Sequence, residues 1–267
     1  MEITSKSRSS LFLAIVVITF SLLSPLSIAA TDSKDVMFIG VHERINYREK
    51  SANGLWSGID IMLLDAIFAH TPYRYELVEL PWQRTLSSLQ QGKVDMALSA
   101  ALLPEREQYA WFTNEVFREG HNVLFSSKAK SPLFEHIESL SDIIDSDIRL
   151  GVVRGVSYSD EYDALKSDPR FTRHLIYLSE TTPLADMLMH DRIDAFLDSE
   201  YGGLKMISQN PEYQAQVFPV QRVTSPQEAQ TYLMFSKKTV SPEMTAKFDK
   251  AIKSLKADGS YQAILSH

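Results

Sequence analysis

The chain has 267 residues, 44% of them hydrophobic and 23% charged, an ordinary globular composition long enough for one large or two smaller cores. A formal net charge of −7 argues against nucleic acid or an anionic membrane surface as partner. No cysteine is present, which excludes disulfides, cysteine-ligated metals and an N-terminal lipidated cysteine. Residues 1–30 have the pattern of an export signal: Lys6 and Arg8 form a basic start, Leu11 to Leu23 an apolar run short for a membrane span, and Ser27 to Ala30 a small-residue cleavage context. Cleavage near Ala29 or Ala30 is expected to release a soluble protein to the periplasm.

From Val36 to Val41 the pattern predicts a strand, followed by the irregular stretch HERINYREKSANG. Ile61, Leu64 and Phe68 then form a helical stripe, and Tyr73 to Leu80 alternates as a strand, so the block opens β-α-β. The chain is organised around Pro81 to Phe117. There Trp82, Leu86 and Leu89 share one helical face, and Gly92 sits where a helix end needs a residue tolerant of positive φ. Val94 to Leu98 predicts a buried strand, and the chain then turns small and polar at Ser99 to Ala101 before delivering Pro104, Glu105 and Arg106. Ligands in α/β folds bind beyond the C-terminal ends of strands, so Arg106 is a candidate anion clamp. The bland alternatives are pairing with Glu105 or Glu107, or a solvated loop position.

His121 to Ser126 reads as an extended crossing and SSKAKSP as a boundary. A second α/β block follows: a helix near Leu140 to Ile144, strands at Arg149 to Val153, His174 to Leu178, Ile193 to Leu197 and Gln216 to Val220, and helices at Pro183 to His190 and Tyr201 to Ile207. Gly155 and Ser157 precede a further helix, where a serine can cap orphan N–H groups that also grip anions. Tyr232 to Ser236 reads as the return crossing, and Met244, Phe248, Ile252 and Leu255 give a last helical stripe. There is no internal repeat and no low-complexity segment.

The order Trp82, Leu89, Gly92, Asp95, Glu105, Arg106, Trp111, Phe112, together with Gly58-Ile59-Asp60 and the closing KADGSYQAIL, resembles the family 3 extracellular solute-binding proteins over nearly the whole mature chain. The resemblance implies an α/β fold of two lobes (type II) with two crossover strands and an interdomain cleft: signal peptide 1–30, first lobe 31–122, second lobe 123–230, and a return to the first lobe over 231–267. It implies that Arg106 holds a ligand carboxylate through a bidentate pair, which a lysine could not reproduce. Ser99 and Ala101 would offer hydroxyl and backbone groups to the ligand. Trp82, Tyr47 and Trp56 would supply aromatic contacts, against the alternative of ordinary core burial. Arg106 is expected to face water in the cleft, so that its loss would leave ligand-free stability unchanged.

Two departures bear on the ligand. Family amino-acid receptors carry a carboxylate five residues after the aspartate matching Asp194; here that position is Ser199, and the acid is Asp198, one residue early. Because side chains alternate across a strand, that displacement could turn the carboxylate away from the cleft. Leu103 also replaces the threonine that precedes the arginine. A carboxylate or other anion is therefore the expected ligand class, whether or not an α-ammonium accompanies it.

The function implied is reversible, non-enzymatic binding of a small anionic or zwitterionic solute by a monomer, read by an inner-membrane ABC permease, with no cofactor and no nucleic acid. One alternative is a ligand-sensing partner of a membrane signalling receptor. The other is a cyclic-acid dehydratase on the same fold, with Glu43 or Asp198 as proton donor. The seven histidines show no metal-ligand spacing, and neither G-x-S-x-G nor a Walker loop is present.

Overall fold

A computed structural model describes residues 35–223, 225 and 229–266; the predicted signal peptide, residues 1–30, lies outside them. The first block runs β1 (Val36–Val41), the two-residue strands β2 (Glu49–Lys50) and β3 (Trp56–Ser57), α1 (Ile59–Ala69), β4 (Arg74–Glu79), α2 (Trp82–Gln91), β5 (Met96–Ala100), α3 (Pro104–Glu107), β6 (Ala110–Phe112) and β7 (Arg118–Glu119). The second block runs β8 (Asn122–Ser127), two 3-10 turns at Lys128–Phe134 and Leu140–Asp145, β9 (Leu150–Val153), α4 (Asp160–Leu165), α5 (Pro169–Thr172), β10 (Leu175–Leu178), α6 (Thr182–Met189), β11 (Ala195–Ser199), α7 (Glu200–Gln209), α8 (Pro211–Gln216) and β12 (Val217–Arg222). The chain closes with β13 (Gln230–Ser236), α9 (Pro242–Ala257) and α10 (Ser260–Leu265).

Two large sheets result, on one plan, beside the two-stranded sheet β2-β3. The first has the order β4-β1-β5-β13-β6 with β7 also on β13, and the second the order β10-β9-β11-β8-β12. In each, three strands are parallel, as helical crossovers require, and the fourth runs antiparallel to its neighbours. That antiparallel strand is β13 in the first sheet and β8 in the second. The passages between sheets therefore fall just before them, between Glu119 and Asn122 and between Arg222 and Gln230. This is the two-lobed type II binding-protein fold, and it explains why both segments read as extended and apolar: each is a buried inner strand of its sheet.

Local chemistry sets the elements that carry the cleft. Trp82, Leu86 and Leu89 are buried on the inner face of α2, and Gly92 ends that helix in the left-handed region at φ 77°. On α9 the predicted stripe of Met244, Phe248, Ile252 and Leu255 is buried, each side chain worth about 1.5–3 kcal/mol of transfer free energy, and Ser241 caps the helix by accepting the Met244 N–H. Asp95 and Asp194 act alike in the two lobes. Each precedes the middle strand of its sheet and accepts a backbone N–H from the neighbouring parallel strand or its lead-in, Phe38 within β1 at 2.8 Å and Arg149 just before β9 at 2.9 Å. The helix expected near Leu140 is instead a 3-10 turn, opened by a Ser139–Asp142 capping box.

Candidate functional site

The C-terminal ends of β1 and β5, the segment after β9 and the end of β11 meet around a cavity of about 290 Å³, small enough for a metabolite rather than a peptide. Its lining includes the expected Trp82, Ser99, Ala101, Arg106, Ser157 and Ser199, and brings in His42, Arg44, Arg48 and Arg118 besides.

Arg106 occupies the single turn of α3, which Pro104 starts, and is only 5% exposed. Its Nη1 donates to the Ala101 carbonyl at 2.9 Å and its Nη2 to the Gly155 carbonyl at 3.0 Å, while its guanidinium lies 5.7 Å from the Trp82 ring centroid. Burial lowers its pKa, although an arginine stays charged throughout the physiological range. Two of its five N–H donors are used by these bonds, which leaves donors for a ligand. The expectation that Arg106 faces water and is free of structural duty does not hold, because it is buried and bridges the lobes. Its bonding partners are carbonyls rather than Glu105 or Glu107.

The same Gly155 carbonyl accepts from Trp82 Nε1 at 2.9 Å. Gly155 has φ +80°, a left-handed conformation that favours glycine, and a Cβ there would push the Gln83 side-chain oxygen aside from 2.4 Å. Arg44 donates to Asp198 at 2.9 Å, and at the rim Lys166 bonds Glu105 at 3.1 Å. Each of these contacts crosses from the first lobe to the second, so the molecule is in a closed form.

Three further arginines surround the cavity. The turn Arg44–Arg48 is pinned by Arg44 N–H to Arg48 O and Arg48 N–H to Arg44 O bonds of 2.7 and 2.8 Å, which present both side chains beyond the end of β1. Arg48 and Arg118 share one fully buried carboxylate, Asp60, at 3.3 and 2.9 Å. Arg118 also donates to the Ser99 hydroxyl at 2.8 Å, and that hydroxyl meets Thr231 Oγ1 at 2.9 Å. Ser99 adopts φ 55°, a left-handed conformation that its hydrogen-bond partners hold in place beside the cavity. Burial first, then the neighbouring Arg48 and Arg44 charges, pushes the His42 imidazole well below its usual range, so it is neutral.

Several expected residues sit elsewhere or serve structure. Tyr47 is buried and does not line the cavity; it carries the Arg118 guanidinium 3.8 Å above its ring and meets Tyr201 edge-on at 5.4 Å. Trp56 lies outside the cavity, packed on the core beneath α1 with Lys50 over its ring at 5.7 Å. Asp198 is buried against Arg44 and its own Ser199 N–H rather than lining the cavity. Ser199 does line the cavity, and its hydroxyl also caps α7 by accepting the Gly202 N–H at 3.2 Å. Ser157 bonds Asp163, and the cap of α4 is Ser159 instead.

The arginines other than Arg106 were missed in the sequence. Arg44 and Arg48 stand in the loop that follows β1, the same kind of position that singled out Arg106, and that signal could have found them. Arg118 lacks it, being brought in only by the pairing of β7 with β13. Among the described residues no cluster of three or more His, Asp or Glu could hold a metal, and no helix is long and apolar enough to cross a membrane.

A cleft between two α/β lobes, closed over charged side chains, defines a ligand-binding protein. The model for bacterial extracellular solute-binding proteins, family 3, matches residues 39–267, and the chain belongs to that family. Similar solved structures include an ancestral arginine-binding protein bound to arginine (TM-score 0.71, 21% identity, covering 87% of this chain and 97% of that one). They also include the amino acid ABC transporter substrate-binding protein AbpA from Streptococcus pneumoniae bound to L-arginine (0.71, 20%, 90% and 96%) and a histidine kinase sensor domain similar to periplasmic binding proteins (0.71, 20%, 88% and 96%). At these identities the likeness is one of fold. No curated protein matches the chain.

Proposed function

We propose that this protein captures a small anionic or zwitterionic solute between its lobes in the periplasm, after removal of residues 1–30, and presents it as a monomer to an ABC transporter. The observation that carries the reading is Arg106: a buried guanidinium at the cavity, 5.7 Å from the Trp82 ring centroid, with no carboxylate among its hydrogen-bond partners and donors left for a ligand. On this reading 31–122 and 231–267 form the first lobe and 123–230 the second, within a residue of the passages between the sheets. Arg106, Ser99, Ala101, Trp82, Ser157 and Ser199 form the binding surface, while Tyr47 and Asp198 hold the arginines that complete it. Trp56 is left out of the site.

Binding rather than catalysis is favoured by the fate of the two candidate proton donors. Asp198 is ion-paired with Arg44, and Glu43 is exposed and outside the lining. A thermal-shift screen of metabolites tests the reading, since a ligand at one hundred times its Kd adds about 2.7 kcal/mol of stability. A hit whose saturating concentration leaves the protein's small-angle scattering open and closed forms unshifted, or whose chemistry is altered on incubation, would refute it. Stimulation of a reconstituted permease by the loaded protein would support the transport role, and its absence alongside activation of a membrane sensor would replace it with signalling.

A further inference from the structure

The charges at the cavity do not balance, and the imbalance speaks to the ligand. Asp198 neutralises Arg44, while Asp60 alone faces both Arg48 and Arg118. Arg106 bonds only carbonyls; Glu105 and Asp163 act on it at longer range and share Lys166 between them. Among the described residues two guanidinium charges are thus without a contacting carboxylate of their own. Arg48 is 2% exposed and its Nε, also buried, has no hydrogen-bond partner; the Arg44 Nε is in the same state. Burial, with the Arg44 and Arg118 charges, lowers the Arg48 pKa to about 10 against the pull of Asp60. A buried cation in that position calls for an anion that the chain does not itself provide.

Among the described residues no buried carboxylate is left to receive a cationic group: Asp60 and Asp198 are taken, and Asp160, the one carboxylate among the lining residues, is exposed to solvent. The two sources of positive charge are also anchored apart, Arg106 on the Ala101 carbonyl and Arg118, beside Arg48, on the Ser99 hydroxyl. Two separate anchors of this kind suit two anionic groups better than a single anionic centre.

We infer that the solute is a small dicarboxylate without an ammonium group, one carboxylate on Arg106 and the other on the Arg48–Arg118 pair. This rests on the binding reading above and narrows it, and it sets the protein apart from the arginine-bound structures that share its fold, since a guanidinium ligand would meet a ring of like charges.

Calorimetric titration of the purified protein at one ionic strength, with succinate, glutarate, monomethyl glutarate, aspartate, glutamate, L-arginine and inorganic phosphate, tests it. Succinate or glutarate should bind at least tenfold more tightly than the amino acid of matching length, and capping one carboxylate as the monomethyl ester should cost at least tenfold. Arg48→Gln should lose that preference for the dianion while melting, without ligand, at the same temperature as the parent or higher, because one of two cations crowded on Asp60 is gone. A purely structural Arg48 would instead melt lower. Tighter binding of an amino acid overturns the inference and leaves the binding reading standing, provided Arg106→Ala abolishes it; tightest binding of phosphate overturns the two-group geometry. Failure of every one of these solutes overturns the inference, and dicarboxylate binding that survives Arg106→Ala overturns the site reading itself. The ester comparison needs no variant, so the inference remains falsifiable should Arg48→Gln not fold.

Discussion

Replacing Arg106 by alanine tests the site most directly, because the structure makes that side chain answerable for two separable effects. The bond to the Ala101 carbonyl lies within the first lobe and the bond to the Gly155 carbonyl crosses to the second. Hydrogen bonds from a charged donor are worth about 1.5–3 kcal/mol each, offset here by relief from burying a guanidinium. A net loss of about 2 kcal/mol in ligand-free stability follows, which in a chain of this size lowers the melting temperature by about 4–8 °C. Affinity should fall further. Truncating one partner of a buried charged pair costs about 2–5 kcal/mol, at least about thirtyfold, and loss of the Gly155 bond disfavours the closed form on top of that. Scanning calorimetry measures the first effect and titration calorimetry with an identified ligand the second. A melting temperature unchanged within about 1 °C would show that Arg106 does not hold the chain as drawn. An affinity change under about threefold, roughly 0.7 kcal/mol, would remove the clamp.

Trp82→Phe keeps a ring beside Arg106 but deletes the Nε1–Gly155 bond, so affinity should weaken by about three- to tenfold, the worth of one neutral hydrogen bond of about 0.5–1.5 kcal/mol, with a smaller change in melting temperature than Arg106→Ala; parental affinity would refute the latch. His42, whose folded-state pKa lies well below 6.5 through burial and then the Arg48 and Arg44 charges, is neutral in the folded chain while the unfolded chain protonates near 6.5. Its stability contribution is therefore full above that value and lost as pH falls below it, at up to about 1.36 kcal/mol per pH unit, and His42→Gln should flatten that slope in chemical denaturation; parallel slopes would show that the imidazole does not report on folding.

The fold was legible because its signals are periodic and local. The stripes on α2 and α9, the glycine at the end of α2 and the apolar runs of β5 and β11 each follow from burying one face of an element, which a sequence records directly. The candidate site was legible only where one residue stood at a recognisable place, as Arg106 does at the cavity. What α/β position cannot reveal is the partner a side chain finds across the cleft. Tyr47 looked like a ligand-stacking aromatic and is instead the seat of Arg118, a residue 71 positions later that arrives through β-pairing. Asp198 was read as displaced from the ligand, and the structure supplies the reason: its carboxylate meets Arg44, whose loop follows β1. Short elements such as α5 and α8, each opened by Asp-Pro or Asn-Pro, carry caps too local to announce themselves in hydrophobic periodicity.

The Gly155 carbonyl joins recognition to movement. Trp82 and Arg106 both belong to the first lobe, and both reach this one acceptor on the second only when the cleft is shut. A ligand can shift such an equilibrium only through interactions that differ between the open and closed states. Arg106 provides that difference, because a carboxylate bound to its remaining donors would fix the guanidinium in the orientation that the Gly155 carbonyl accepts, and would compensate a charge that closure otherwise buries alone. The unmatched charge of the Arg48–Arg118 pair acts in the same sense: without an anion, shutting the cleft removes water from a cation that Asp60 cannot fully satisfy, which opposes closure. On the proposed reading, selectivity and closure would draw on the same arginines. A solute that supplies only one negative group should bind while closing the lobes incompletely, whereas one that satisfies both sets of donors should close them, so that the degree of closure reports the charge of what is bound.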